Sequence, residues 1–310
     1  MSKRLVITLG GNALGKTPEQ QLKLVIQTAS TIVDLIEDGY EVVLGHGNGP
    51  QVGMVNVAFD YGCDNNYAPA MPLSECTAMT QGYIGYQLQQ AVTNELRKRN
   101  IPRNCLTVVT QVLVNENDPA FQKPTKPIGM YYSKEEADAF IKEKGYTFKF
   151  SQGKGYRRIV PSPLPEKILE VEPVKQLMSS GNIVITVGGG GIPVIDTPEG
   201  YKGIPAVIDK DLASSLLACC LEADMLVILT NVEKVCLNFN QPDQRQLDHL
   251  TVSEAEKYLK AGQFGVGSML PKVESCIKFL RHNPEGKALI TSLEKAREAL
   301  NGKTGTYITY

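Results

Sequence analysis

The sequence predicts an α/β protein whose mostly parallel sheet is covered by helices on both faces. Three observations predict it. Apolar runs of strand length alternate with segments of helical period, the strands end in glycine-rich turns, and a Pro- and Gly-rich stretch from Asn115 to Pro165 separates two halves that each keep the alternation. In sheets of this kind ligands bind beyond the carboxyl ends of the strands.

The apolar run Leu5, Val6, Ile7 and Leu9 is the first strand. Leu22, Val25, Ile26, Ala29, Ile32, Val33 and Ile36 then fall at helical spacing, and the helix stops at Gly39, where a C-terminal glycine belongs. EVVLG (41–45) is the second strand. Ser74 to Asn100 forms a long helix with Ile84, Leu88, Ala91 and Val92 on one face, and CLTVVTQVLV (105–114) is the third strand. The excursion that follows carries Tyr131, Tyr132, Tyr146 and Tyr156 and a short helix opened by the capping box Ser133/Glu136. It is either an ordinary surface insertion or a functional one. Alternation then resumes with the strand NIVITVGG, a helix through DLASSLLACCLEA, the strand DMLVILTNV, a helix through PKVESCIKFL and the strand KALITSL.

Composition narrows the function. The 310 residues, 42% of them apolar, suffice for a sizeable core. A formal net charge of -1, from 32 basic and 33 acidic residues, gives no global field for nucleic acid or an anionic membrane surface, so the expected partner is small. Seven cysteines without a C-x-x-C pair, two of them adjacent at Cys219 and Cys220, argue against a disulfide framework or a zinc site and point to a reducing cytoplasm. No targeting segment is expected at the N-terminus, and no apolar run approaches the ~20 residues of a membrane span.

GGNALGKT, Gly10 to Thr17, satisfies the P-loop pattern G-x-x-x-x-G-K-[ST]. A P-loop needs its Lys-Thr pair inside the first turn of a helix, so that backbone N–H groups surround the phosphates. Here Pro18 follows Thr17 and pushes it toward an extended conformation. The apolar strand that would supply a metal-binding Asp ends instead in Asn231. The match is therefore read as accidental, and replacing Lys16 is expected to matter far less than replacing Lys126 or Lys272. What survives is Gly10-Gly11-Asn12 at the end of the first strand. GHGNGPQVG (Gly45 to Gly53) and GGGGIP (Gly188 to Pro193) occupy the same position after two other strands. Each is either a tight turn or a place where backbone amides approach an anion without a β-carbon in the way, and together they suggest a phosphate-handling crevice.

Lys210 precedes a helix expected to start near Asp211, and Lys272 follows Pro271, which is well placed to open another. A cation at a helix N-terminus opposes the dipole by ~0.3–1 kcal/mol unless an anion sits between. Two such lysines are consistent either with a bound polyphosphate or with solvated side chains. Asp211 either caps its helix or positions the two lysines and the metal shell, and both can hold at once. Lys126, between Pro124 and Pro127, is either an ammonium presented by a stiffened backbone or an ordinary solvated surface lysine. Of His46, His249 and His282 only His46 lies in a candidate loop, and without a paired carboxylate or nucleophile it reads as structural.

These residues resemble a known family. ITLGGNAL, GHGNGPQVG, PLSECTAMTQGYIGYQLQQA, PTKPIG, GGGGIPV, AVIDKDLASSLLA and GSMLPKVES, spread nearly end to end, are similar to the motifs of the carbamate kinases of the amino-acid kinase fold family. The resemblance implies a three-layer αβα sandwich, residues 1–310, around a mainly parallel twisted sheet. Within it, about 1–180 form a carbamate-binding N-terminal lobe, 181–310 a nucleotide-binding C-terminal lobe, and 116–160 an inserted, protruding subdomain. It implies a homodimer that transfers a phosphoryl group reversibly between ATP and carbamate, giving ADP and carbamoyl phosphate, with Mg²⁺ accompanying the nucleotide, and that serves ATP synthesis in arginine breakdown. By the same resemblance Lys126, Lys210, Lys272 and Asp211 are catalytic, and Gly10, Gly11, Lys210 and Lys272 hold the ATP phosphates. Asn12, Gly47, Asn48 and Gly49 hold carbamate, while Asn231, Met269 and Leu270 border the nucleotide pocket. No protein ligand for the metal is assigned. Leu270 stands where that motif often has Gly, and Asn231 where related kinases often have Asp. Another acyl-phosphate-forming or nucleoside-monophosphate kinase of the same fold, or a non-catalytic nucleotide or anion sensor, is the alternative.

Overall fold

A computed structural model describes residues 3–10 and 17–310. The chain opens with β1 (Arg4–Leu9), α1 (Pro18–Glu37), β2 (Glu41–His46), α2 (Gly49–Asp64), α3 (Leu73–Lys98), β3 (Cys105–Thr107) and β4 (Gln111–Val114). The middle contributes β5 (Lys126–Tyr132), α4 (Lys134–Lys144), β6 (Thr147–Ser151), β7 (Gly155–Val160), β8 (Pro165–Ile168), α5 (Val171–Ser179), β9 (Ile183–Ile185), β10 (Ile192–Thr197) and β11 (Gly200–Gly203). The last third holds α6 (Lys210–Cys220), β12 (Met225–Thr230), β13 (Val235–Leu237), β14 (Arg245–Leu247), β15 (His249–Thr251), α7 (Val252–Lys260), α8 (Leu270–His282), β16 (Lys287–Ser292), α9 (Ala296–Leu300) and β17 (Thr306–Thr309).

Eight strands form the main sheet in the order β15-β17-β16-β12-β1-β2-β9-β3. All neighbours are parallel except β16 and β17. Side-chain alternation along each strand supplies both cores. Val6, Val43, Val184, Leu226 and Ile228 pack on one side with Val174 of α5, Leu217 of α6, Ala255 of α7 and Phe279 of α8. Leu5, Ile7, Leu44, Ile185, Val227 and Leu229 pack on the other with Ile32 of α1, Leu88 of α3 and Ala296 of α9. The sheet is thus the middle of three layers. No helix among the described residues is long and apolar enough to cross a membrane.

Three local expectations are corrected. The run 105–114 is two strands: β3 joins β9 in the main sheet, whereas β4 pairs with β10 and β8 in a second, four-stranded sheet. The break is held by Gln81, whose Oε1 accepts the Thr110 N–H at 2.9 Å and whose Nε2 donates to the Thr110 carbonyl at 3.1 Å. Hydrophobicity records that both halves are buried, not that they belong to different sheets. Second, only Gly47 and Asn48 separate β2 from α2, so Gly49 to Gly53 are helical, with Pro50 in the first turn. Third, Lys210 does not precede its helix but is its first residue, and Asp209 is the cap.

Thr17 is extended, with φ -114° and ψ 156°, and caps α1 by accepting the Gln20 N–H at 3.2 Å. It stands outside the first turn, as Pro18 requires. Lys16 and the rest of 11–16 lie outside the described residues.

Strands β5, β7 and β6 form a separate antiparallel sheet over Lys126–Ser151 and Gly155–Val160. Helix α4 carries the expected Ser133/Glu136 capping box, and Phe140 meets Tyr132 edge-on at 5.4 Å. This inserted unit rests on α2. Asn56, Asp60 and Asp64, each one helical turn after the last, accept hydrogen bonds from Arg158 (2.5 Å), the Tyr146 hydroxyl and Lys144. Backbones touch at Gly53, where a β-carbon would stand 2.3 Å from the Gly129 nitrogen.

Candidate active site

A cleft of about 580 Å³ opens beyond the carboxyl ends of β1, β2 and β12. Gly10 lines it from the end of β1, Gly47, Asn48 and Gly49 from the turn into α2, and Asn231 from the end of β12. Lys210 and Asp211 enter on the first turn of α6, Met269, Leu270 and Lys272 on the start of α8, and Lys126 on the first residue of β5. Helices α6 and α8 lie side by side, joined where the Ser215 hydroxyl donates to the Ser275 carbonyl at 2.9 Å. Their N-termini therefore face the same space. Residues spread from 10 to 272 meet in one cavity. Gly11 and Asn12 lie outside the described residues.

Asp211 is the hub of the cationic group. Its Oδ1 accepts a hydrogen bond from Lys210 Nζ, and its Oδ2 accepts one from Lys272 Nζ at 2.9 Å. Its side chain is 3% exposed. Burial alone would raise its pKa, but Lys210 and Lys272 outweigh that effect and hold the carboxyl well below the usual carboxylate range. Burial dominates for Lys210, whose pKa is pushed down to about 8 against the pull of Asp211. Lys272 is displaced the other way: burial opposes its charge, yet Asp211 raises it above the ordinary lysine value. The two lysines at helix N-termini thus share one carboxylate, which offsets one of their two charges. Of the two readings open for Asp211, the structure gives the capping role to its neighbour.

That neighbour, Asp209, was not singled out from the sequence. One of its oxygens accepts the Asp211 N–H at 2.9 Å and caps α6, and the other accepts Lys126 Nζ at 2.5 Å. Burial would raise its pKa, but Lys126 outweighs this and keeps the carboxyl below its ordinary value. A second ion pair therefore stands beside the first.

The glycine turns contribute clearance more than donors. The Gly10 N–H donates to the Leu229 carbonyl and the Gly47 N–H to the Leu9 carbonyl, both at 3.1 Å, continuing the strand ladder. At Gly10 a β-carbon would lie 3.1 Å from the Leu229 oxygen. Gly49 and Gln51, by contrast, open α2, where N–H groups have no acceptor within the helix. Gly188 to Gly190 make a single 3₁₀ turn. Within it Gly189 has φ +66°, and a β-carbon there would meet Asn48 Nδ2 at 2.3 Å. The buried Asn48 is held in turn by donating to Thr80 Oγ1 at 2.9 Å.

The sequence profile of the Amino acid kinase family matches residues 3–292. The chain belongs to the amino acid kinase family. Within it, a carbamate kinase of Staphylococcus haemolyticus is 52% identical over 308 residues, 99% of either chain. Carbamate kinase 3 of Staphylococcus aureus is 51% identical over 308 residues, again 99% of each. Among solved structures, carbamate kinase from Giardia lamblia bound to AMP-PNP superposes with a TM-score of 0.90 at 43% identity, covering 99% of this chain and 98% of that one.

Among the described residues no histidine lines the cleft. His46 is fully buried, its Nδ1 lies 3.1 Å from the Gly47 carbonyl, and burial pushes its pKa down to about 4, so the ring is neutral at physiological pH. The structural reading of His46 therefore holds. His249 meets the Thr309 hydroxyl at 2.9 Å on β15, and His282 ends α8. Among the described residues no three His, Cys, Asp or Glu side chains gather as metal ligands. The cleft's carboxylates, Asp209 and Asp211, are instead engaged with lysines.

Proposed function

We propose that this amino acid kinase is a carbamate kinase, transferring a phosphoryl group reversibly between ATP and carbamate. The observation that carries the proposal is the convergence of Lys126, Lys210 and Lys272 on one cleft, organised by Asp209 and Asp211. Relatives at about half identity over the full chain bear the same name. A carbamate oxygen, already anionic at neutral pH, attacks the γ-phosphorus, and the bond to the β,γ-bridging oxygen breaks with its electron pair leaving on ADP. No general base is needed, which agrees with a cleft free of histidine. The protein's task is to hold two anions in line and to neutralise charge on the moving group.

In this reading Gly10, Gly11, Lys210 and Lys272 adjoin the ATP phosphates, and Asn12, Gly47, Asn48 and Gly49 adjoin carbamate. Asn231, Met269 and Leu270 border the nucleotide, and Mg²⁺ arrives with it as part of the substrate. Residues 1–180 form the carbamate lobe, 181–310 the nucleotide lobe, and 116–160 the inserted subdomain that brings Lys126 over the phosphoryl group. The working form is a cytoplasmic homodimer that makes ATP during arginine breakdown.

The test is ATP formation from ADP, carbamoyl phosphate and Mg²⁺, set beside phosphorylation of glutamate, acetylglutamate and UMP by ATP. Turnover with carbamoyl phosphate alone is expected. Preference for any other acceptor would replace this reading with a different kinase of the fold, and binding without turnover would leave a sensor.

A further inference from the structure

We propose that Asp209 is a positioning residue, holding the Lys126 ammonium at the N-terminus of α6 until the transferring phosphoryl group displaces it. The inference rests on the phosphoryl-transfer reading above and adds to it a residue with two separable duties. Capping α6 occupies one carboxylate oxygen, and Ser, Thr or Asn would do that equally well. The second oxygen, 2.5 Å from Lys126 Nζ, requires a negative charge.

Among the described residues Asp209 is the sole ion-pair and hydrogen-bond partner of the Lys126 ammonium. Asp211 cannot take its place, because both of its oxygens are engaged by Lys210 and Lys272. The pair lies largely out of water, with side chains 23% and 14% exposed. It also spans two units of the fold: Lys126 opens the inserted sheet, and Asp209 precedes α6. Three ammonium groups around two carboxylates leave the cluster one positive charge in excess. A phosphoryl group bearing more than one negative charge outcompetes a single carboxylate for Lys126, and the carboxylate recaptures the lysine when product leaves. Fixing a long side chain in advance reduces what must be ordered when the phosphoryl group moves.

Asp209→Asn keeps an oxygen for the Asp211 N–H and removes the charge, and Asp209→Ser is a second neutral cap. In ATP formation from ADP and carbamoyl phosphate each should lower kcat by about tenfold or more while KM for ADP changes less than about threefold. Thermal unfolding should stay within about 2 °C of wild type, since the cap survives. Added to Lys126→Ala, the Asn substitution should have almost no further effect, less than about twofold. Acetylation of Lys126 by an N-hydroxysuccinimide ester, read by peptide mass spectrometry, should accelerate in both variants while Lys175 is unaffected. Unchanged kcat and unchanged Lys126 labelling in an active enzyme would overturn the role of Asp209 alone, as would a loss that multiplies in the Lys126→Ala background. A wild-type enzyme that makes no ATP from these substrates would overturn the reaction itself, and this role with it.

Discussion

Lys210 is an ammonium held almost wholly out of water, with a pKa pushed down to about 8 by burial. Its charged form is the useful one, so kcat/KM for ADP should fall as pH rises through about 8, the limb that reports the free enzyme. Lys210→Arg, which stays charged, should move that limb to higher pH, and a pH–rate profile reads both. The stability term has the opposite sense. Between about pH 8 and the ordinary lysine value of 10.5 the unfolded chain holds more protons at this residue than the folded one, so its contribution makes the fold more stable as pH rises through that window. Lys272→Ala removes one of two cations on Asp211 and should reduce turnover about a hundredfold, the equivalent of ~3 kcal/mol of lost charge stabilisation, in steady-state assays. These lysines were legible in the sequence because cations at helix N-termini are anomalous. Asp209 was not. An acidic residue just before a helix is ordinarily a cap, and the partner of its second oxygen lies 83 positions away.

At the scale of elements, α2 is where sequence reading failed and where the inserted sheet is seated. Its buried face is Gln51, Val52, Gly53, Asn56, Asp60 and Gly62, mostly small or polar residues. No apolar period marks it as a helix, and its Gly-Pro start reads as a turn. The face is polar because it receives Arg158 and Tyr146, and small because a backbone crosses it at Gly53. Helix α7, in contrast, carries a readable signal, the capping box Thr251/Glu254. A methyl group added in Gly53→Ala would meet the Gly129 backbone nitrogen at 2.3 Å and force β5 away from α2. Because β5 begins at Lys126, kcat should fall about 10- to 100-fold while ADP affinity, measured by calorimetry, stays near wild type.

Across the whole molecule, the parallel sheet and its two helical layers were legible because strands buried on both faces read as unbroken apolar runs. The second sheet was not, since β4, β8 and β11 have only four residues each and β4 follows β3 within one apolar run. One buried titratable group ties overall stability to pH. The pKa of His46 is about 4 in the fold, against 6.5 in the open chain, so protonation favours unfolding. The fold should keep this contribution above pH 6.5 and lose about 3 kcal/mol as pH falls through 4. Urea melts across that range should show the slope, and His46→Gln should flatten it.

The sheet order also sets a timetable. β1 ends at Leu9 and has β12 as one of its two neighbours, and β12 begins only at Met225. At a synthesis rate of about 5–20 residues per second, one edge of β1 waits roughly 10–45 s on the ribosome for its mate. Over that interval the nascent chain carries a hydrophobic strand with one edge unpaired, which exposes it to wrong pairing until β12 arrives.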